Sequence, residues 1–232
     1  MELSKRLQAV AGLVTEGASV ADIGTDHGYI PIYLAENGIS TKIIAMDVNK
    51  GPLERAMIHI KANHLEEVIE TRLSDGFAAL KAGEVDTIIT AGMGGGLVIK
   101  IMTDYPEITD SIKYFILQPQ SEIHKVRDFL YKNDFCVLEE DMVEEDGKYY
   151  PMMKVVHGKE YDNYSEEELL YGKCLLRSAH PILKEFLSRE LVLKTAIINN
   201  IKQKAGENGK IRVQMLGAEI RMIEKVLEEY FA

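Results

Sequence analysis

The sequence predicts an α/β fold, a Rossmann-like seven-stranded sheet with a C-terminal α-helical extension. Three observations carry this expectation. Apolar runs of strand length alternate with helical patterns at residues 19–23, 42–47, 68–73, 85–90 and 113–118, as five βα units and hence a parallel sheet require. Two further strand-like runs, 135–140 and 149–156, then flank Glu145-Asp146-Gly147-Lys148, and Asp-Gly between such runs is a strong hairpin signal. Past His157-Gly158 the strand signals stop and long helical patterns take over.

Before the first strand, Leu3, Leu7, Val10, Leu13 and Val14 recur at helical spacing, which predicts an amphipathic helix over 2–14 packed on the sheet edge, with Ser4, Lys5 and Arg6 outside. In the extension, Ser165 and Glu168 form a capping box, and about forty helical residues follow. Pro181 must start or kink a helix there. Residues 206–209 read as a turn, and 211–231 as a second helix with Val213, Leu216, Ile220, Ile223, Val226 and Leu227 on one face. The simplest reading is two antiparallel, coiled-coil-like helices in a monomer, with a dimerising coiled coil as the alternative. The expected domains are 1–159 and 160–232.

A chain of 232 residues with 46% hydrophobic content can bury one substantial core and carry a small appendage. Cys136 and Cys174 lack ligand or disulfide-framework spacing, and the six histidines have no metal-ligand pattern, so a reducing, cytoplasmic setting without metal is expected. No apolar signal core opens the chain, and no run approaches the ~20 apolar residues of a membrane helix. The net charge of −10 is uneven: residues 1–159 hold 16 Lys+Arg against 25 Asp+Glu, and 160–232 hold 11 against 12. Within the latter, 171–212 hold nine basic residues, Lys173, Arg177, Lys184 and Arg189 among them, against three acidic ones. That stretch is either a solvated helix face or a phosphate-contacting surface.

The chemistry concentrates at strand ends. Asp22-Ile-Gly24-Thr25-Asp26-His27-Gly28 closes the first strand with a glycine-rich turn, and Asp47, followed by Val48, closes the second. Such a turn lets the backbone approach a ligand, and a carboxylate on the next strand tip can accept both ribose hydroxyls. A dinucleotide would require a phosphate where Asp26 stands, and an anion there repels it. S-adenosylmethionine, cationic and free of phosphate, suits the loop better, which favours a methyltransferase over a dehydrogenase. Asp75-Gly76 at the third strand tip is either an adenine contact or an ordinary Asp-Gly turn. The fourth strand ends in Ala91-Gly92-Met93-Gly94-Gly95-Gly96, small residues that cannot polarise an exocyclic amine through side chains but can admit a flat ring close to the backbone. A ring nitrogen such as adenine N1 has a free lone pair and needs only positioning. Gln118-Pro119-Gln120 ends the fifth strand on the same edge, where exposed amides suit base-edge recognition. His27 and Tyr29 either position a target base or are half-buried helix residues.

Taken jointly, Asp22 to Pro31, Asp47 to Leu53, Ser74 to Gly76, Ala91 to Gly95, Leu117 to Gln120 and Glu145 to Tyr150 resemble the bacterial TrmK family, tRNA methyltransferases that form 1-methyladenosine at position 22. The resemblance spans essentially the whole chain. It implies a class I methyltransferase domain with a helical, tRNA-contacting extension, S-adenosylmethionine as cofactor and tRNA as partner. By the same resemblance Asp22, Gly24, Thr25, Asp26 and Gly28 line the methionine end of the cofactor, Asp47 the ribose, Asp75 and Gly76 the adenine, and Ala91, Gly92 and Met93 the reacting centre. Gly94, Gly95 and Gln118 to Gln120 are then expected at the substrate. Other adenine-N1 methyltransferases carry an Asp after the fourth strand, which is absent here. The alternatives are a noncatalytic nucleoside-binding protein and a methyltransferase of another substrate class.

Overall fold

A computed structural model describes residues 2–159, 162–204 and 207–232. The chain divides into two compact units, Met1–Asn163 and Tyr164–Ala232.

The first unit opens with helix α1 (Lys5–Gly12), capped by Ser4, whose Oγ accepts from the Leu7 N–H. The parallel strands are β1 (Ser19–Ile23), β2 (Lys42–Asp47), β3 (Ile69–Leu73), β4 (Thr87–Ala91) and β5 (Tyr114–Gln118). Helices α2 (Tyr29–Glu36), α3 (Lys50–Ala62), α4 (Gly95–Asp104) and α5 (Pro106–Ser111) connect them, and α6 (Ile123–Lys132) follows β5. Strands β6 (Phe135–Glu145) and β7 (Lys148–His157) then form the hairpin, and the sheet order is β3-β2-β1-β4-β5-β7-β6 with β7 antiparallel to both neighbours. All five parallel strands fall within the sequence-predicted runs or within one residue of them. The hairpin turns on Asp146 and Gly147, both at positive φ (52° and 73°), the backbone that the right-handed twist of paired strands favours.

Strands β1, β2, β4 and β5 are buried along nearly their whole length, as a parallel sheet covered on both faces requires. Val10 and Ala11 of α1 join the core with Val20, Ile32, Ile43, Ile89 and Ile116, so α1 packs on the sheet as its periodicity predicts. Arg6 departs from that reading. It lies half-buried, its Nη1 donating to Gln118 Oε1 at 2.8 Å, and so reaches inward to the end of β5. Between α6 and β6, Arg127 and Glu140 form a buried ion pair at 2.8 Å.

The second unit is helical throughout its described secondary structure. It comprises α7 (Glu166–Tyr171), α8 (Lys173–Arg177), α9 (Pro181–Lys204) and α10 (Glu207–Phe231). Ser165 and Glu168 make the expected capping box, each side chain taking the other residue's backbone N–H. The forty-residue helical run is interrupted, however, at Gly172 (φ 99°) and Ala179 (φ 46°), and Pro181 starts the long helix instead of kinking one. The turn expected over 206–209 is also corrected: Glu207 to Gly209 already belong to α10, while Gly206 lies outside the described residues. Helices α9 and α10 are antiparallel. Lys184 Nζ donates to the Phe231 carbonyl at 3.0 Å, and Lys194 Nζ bridges Glu190 (2.9 Å) and Glu219 (2.8 Å).

Near the strand tips, Gly95 makes the tightest approach to another stretch of backbone. A Cβ there would stand 2.6 Å from the Ser121 carbonyl oxygen and 2.9 Å from Val126, whereas at Gly96 the nearest atom is the mobile Glu122 carboxylate at 3.1 Å. Gly95→Ala is therefore expected to lower stability by about 1–3 kcal/mol through overpacking, and Gly96→Ala to be nearly neutral, as read by urea denaturation. Equal midpoints for the two variants would refute the close-packing assignment.

Candidate active site at the β1–β4 switch point

Strand order reverses at β1, which pairs with β2 on one side and β4 on the other, so the connections leaving their carboxyl ends diverge and open a cleft. The loop after β1 enters it through tandem hydrogen bonds, the Gly24 and Thr25 N–H groups both donating to the Met46 carbonyl at 2.8 Å. Gly24 sits at φ 79°, and a Cβ on it would meet Met93 Cε at 2.5 Å. His27 and Gly28 follow in the left-handed region (φ 60° and 70°), a strained conformation for His27 that sets the start of α2. The His59 ring, Nδ1 2.9 Å from the His27 carbonyl oxygen, holds that turn from α3.

The cleft is lined by Arg6, Leu7, Asp22, Gly24, Asp26, Tyr29, Ile30 and Ala91. Asp22 is buried at its base. Burial pushes its carboxyl up to about 6 from 3.8; the Thr25 hydroxyl pulls it part of the way back, and the Asp47 charge pushes it up again. Thr25, only 2% exposed, nevertheless leaves its Oγ1 without a hydrogen bond of good geometry, and His27 Nδ1 is likewise buried and unpartnered. Asp47 is buried at the tip of β2, with Oδ1 accepting from the Asn49 N–H at 2.7 Å. Buried polar atoms left open around one cleft are what an absent polar ligand satisfies when it binds.

The remaining candidates fall into two groups. Gly92 (φ 85°) and Met93 continue the rim beyond Ala91, and three backbone bonds lock that loop to the next: Gly92 N–H to Gln118 O, Gln120 N–H to Met93 O and Gly95 N–H to Ser121 O. Asp75 stands exposed at the tip of β3, with Gly76 at φ 56° packed on Ile101 and Ser74 Oγ bracing the turn, and Val48 is exposed beside Asp47. Several expectations need correction. Gln118 is 0% exposed and holds Arg6, so it is a buried latch and not a free amide; Gln120 is exposed and Pro119 flanks it. Gly95 is buried in packing, while Gly94 bridges to Ser121. Asp26 is exposed and pairs with Arg55 at 2.9 Å. Tyr29 is stacked with His27 and His59, at ring distances of 5.1 and 5.8 Å. In the helical unit Lys173 is 5% exposed and lies over the Tyr164 ring, so its charge is held inside; Arg177 faces Glu168 at 3.8 Å, and Arg189 and Lys184 lie on α9. Sequence reasoning missed Arg6 and His59. Arg6 sits on the polar side of an amphipathic pattern, which reads as solvent, and His59 has no local motif at all.

A family model described as a methyltransferase domain matches residues 3–153. The tRNA (adenine(22)-N(1))-methyltransferase of Bacillus subtilis is 32% identical over 233 residues, covering 98% of both chains. The chain belongs to the TrmK family. Among solved members, TrmK of M. capricolum in complex with S-adenosyl-homocysteine matches with a TM-score of 0.84 and 26% identity, over 99% of this chain and 100% of that one. Sp1610 of Streptococcus pneumoniae, solved in complex with S-adenosyl-L-methionine, matches with a TM-score of 0.86 and 30% identity, over 97% and 100%. The cleft of this TrmK-family chain is chemically suited to such a ligand, with acidic side chains, buried polar atoms left open beside it, and a glycine where the chain must come close.

The raised Asp22 carboxyl has a thermodynamic signature. The folded protein holds this proton up to about pH 6 and the unfolded chain only to about 3.8, so stability falls as pH rises between these values and the penalty, on the order of 3 kcal/mol, is complete above them. Asp22→Asn is expected to raise the stability of the ligand-free protein above about pH 6 and to flatten this fall, as read by urea denaturation across pH. A profile unchanged by the substitution would remove the buried charge from the account.

Proposed function

We propose that this chain is an S-adenosylmethionine-dependent tRNA methyltransferase acting on N1 of adenine 22, giving 1-methyladenosine. The observation that carries the reading is the loop Ala91 to Gly96, which offers backbone and a thioether but no carboxylate, amide or hydroxyl side chain to an incoming base. The cofactor supplies an electrophilic methyl on a sulfonium; as the N1–CH3 bond forms, the S–CH3 bond breaks, its electrons stay on sulfur, and the positive charge passes to the purine. The chain need remove no proton in that exchange. Its work is to align and to exclude water.

Asp22 and the Thr25 hydroxyl would meet the cationic methionine end, Asp47 the ribose hydroxyls, and Asp75 with Gly76 the adenine. Asp47 keeps one carboxylate oxygen engaged by Asn49, which fixes its orientation for a ligand. His27 and Tyr29 would position substrate from the cleft wall. We assign residues 1–159 to the methyltransferase domain and 160–232 to a tRNA-contacting domain, supported by the basic residues Arg177, Lys184 and Arg189. Among the described residues no helix is long and apolar enough to cross a membrane. A cytoplasmic monomer is the setting we propose.

Incubation with labelled cofactor and unmodified tRNA, then nuclease digestion and mass spectrometry, tests the reading. The expected nucleoside is 1-methyladenosine. N6-methyladenosine as the main product would contradict the ring-nitrogen mechanism, and no incorporation at excess enzyme would favour a nucleoside-binding protein. Asp47→Ala is expected to weaken cofactor binding by roughly ten- to a hundredfold, more than it slows turnover at saturating cofactor, because charge-assisted hydrogen bonds contribute about 1.5–3 kcal/mol. Calorimetry showing unchanged affinity would take Asp47 out of the site.

A further inference from the structure

The hairpin residues Lys148, Tyr149 and Tyr150 play no part in the cofactor cleft, yet they wall a second cavity of about 340 Å³ whose other side is Gln118, Pro119, Gln120 and Ile123. Its origin lies in the register. Pairing of β5 with β7 stops at Leu117↔Met153, and Pro151 has no N–H to extend it, so the start of β7 stands apart from the chain that leaves β5. The volume is at the small end for ligand sites, roughly 300–1,000 Å³, and suits a single nucleotide better than a larger group. Aromatic rings, an exposed amide and an ammonium are the three chemistries by which an unstacked nucleotide is held: face, edge and phosphate.

The cavity borders the cofactor cleft. Arg6 lines the cleft, donates to Gln118 Oε1 at 2.8 Å and lies 5.5 Å over the Tyr150 ring, so the Arg6–Gln118–Tyr150 contact is the partition between the two spaces. Gly92 stands at that partition. A Cβ on it would lie 3.5 Å from Gln120 Nε2 and 3.6 Å from Arg6 Nη1, and its φ of 85° resists any side chain. Tyr29, the tyrosine that lines the cofactor cleft, already has the rings of His27 and His59 against it.

We propose that the hairpin cavity holds the target adenine, stacked on Tyr150 with Gln120 on its edge and its N1 directed past Gly92 toward the cofactor, while Lys148 contacts an adjoining phosphate. The assignment rests on the tRNA methyltransferase reading and names the site of its substrate base. It also accounts for the charge: alkylation at N1 leaves a cationic purine, which an aromatic face accommodates.

The test measures binding of two tRNAs to the full chain loaded with S-adenosylhomocysteine, one intact and one abasic at the target position. Wild-type protein should prefer the intact tRNA about tenfold or more, the scale of one base–aromatic stack. Tyr150→Phe should keep that preference, and Tyr150→Leu, which keeps bulk under Arg6, should abolish it. Lys148→Ala should weaken both tRNAs equally. Retained S-adenosylhomocysteine binding certifies that each variant is folded. A preference that survives in Tyr150→Leu, or is absent from the wild type, overturns the cavity assignment. Failure of the wild type to form 1-methyladenosine would instead strike the methyltransferase reading, so the two failures are distinguishable.

Discussion

A parallel strand cannot return beside its predecessor without a crossover, and at β1 the crossovers begin to run the other way. That reversal fixes the site. It leaves β1 with strands on both sides and nothing across its carboxyl end, so the side chains placed there have no neighbouring element packed over them to satisfy them. Asp22, Thr25 and the Nδ1 atom of the partly exposed His27 are in that position, and burying these polar groups costs stability that an apolar loop would not lose. The tandem hydrogen bonds from Gly24 and Thr25 to Met46, and the three that join the loops after β4 and β5, keep the gap from collapsing onto them.

The fold was legible because its strands are buried on both faces: an apolar run such as Ile43 to Met46 has no reading on a solvated surface. The Asp146-Gly147 hairpin was equally plain, since two successive positive φ angles demand such residues. The helical unit was less so. Helical periodicity carries across short breaks, and Gly172 and Ala179 interrupt the run without disturbing the apolar pattern on either side. The start of α10 lies earlier than the sequence suggests for a related reason, because glycine and asparagine suit a turn and a first helical turn alike.

At the site, the residues gathered by one strand tip could be read from order alone: Asp22 to Gly28, and Asp47 one unit later. What depends on tertiary contact could not. Arg6 and Gln118 are 112 residues apart, and nothing local to either marks the bond that turns an arginine inward and a glutamine away from solvent. Lys173 shows the converse, a cation counted toward a basic surface that is buried with its ammonium over the Tyr164 ring. Charge counts along a chain record what is ionised, and only packing decides where it points.

Helix α1 has an effect on the order of assembly. It precedes the strands in the chain, but its hydrogen bonds run to the far end of its unit: Arg6 to Gln118 and the Lys5 N–H to Glu145. Contacts so distant along the chain bear a large loop-closure cost and form late. A nascent polypeptide therefore has the strands that cradle a nucleoside well before it has the wall that completes the cleft. The packing of Val10 and Ala11 on Val20 and Ile32 needs only the early part of the unit, whereas the Arg6–Gln118 bond at the cleft wall must await β5.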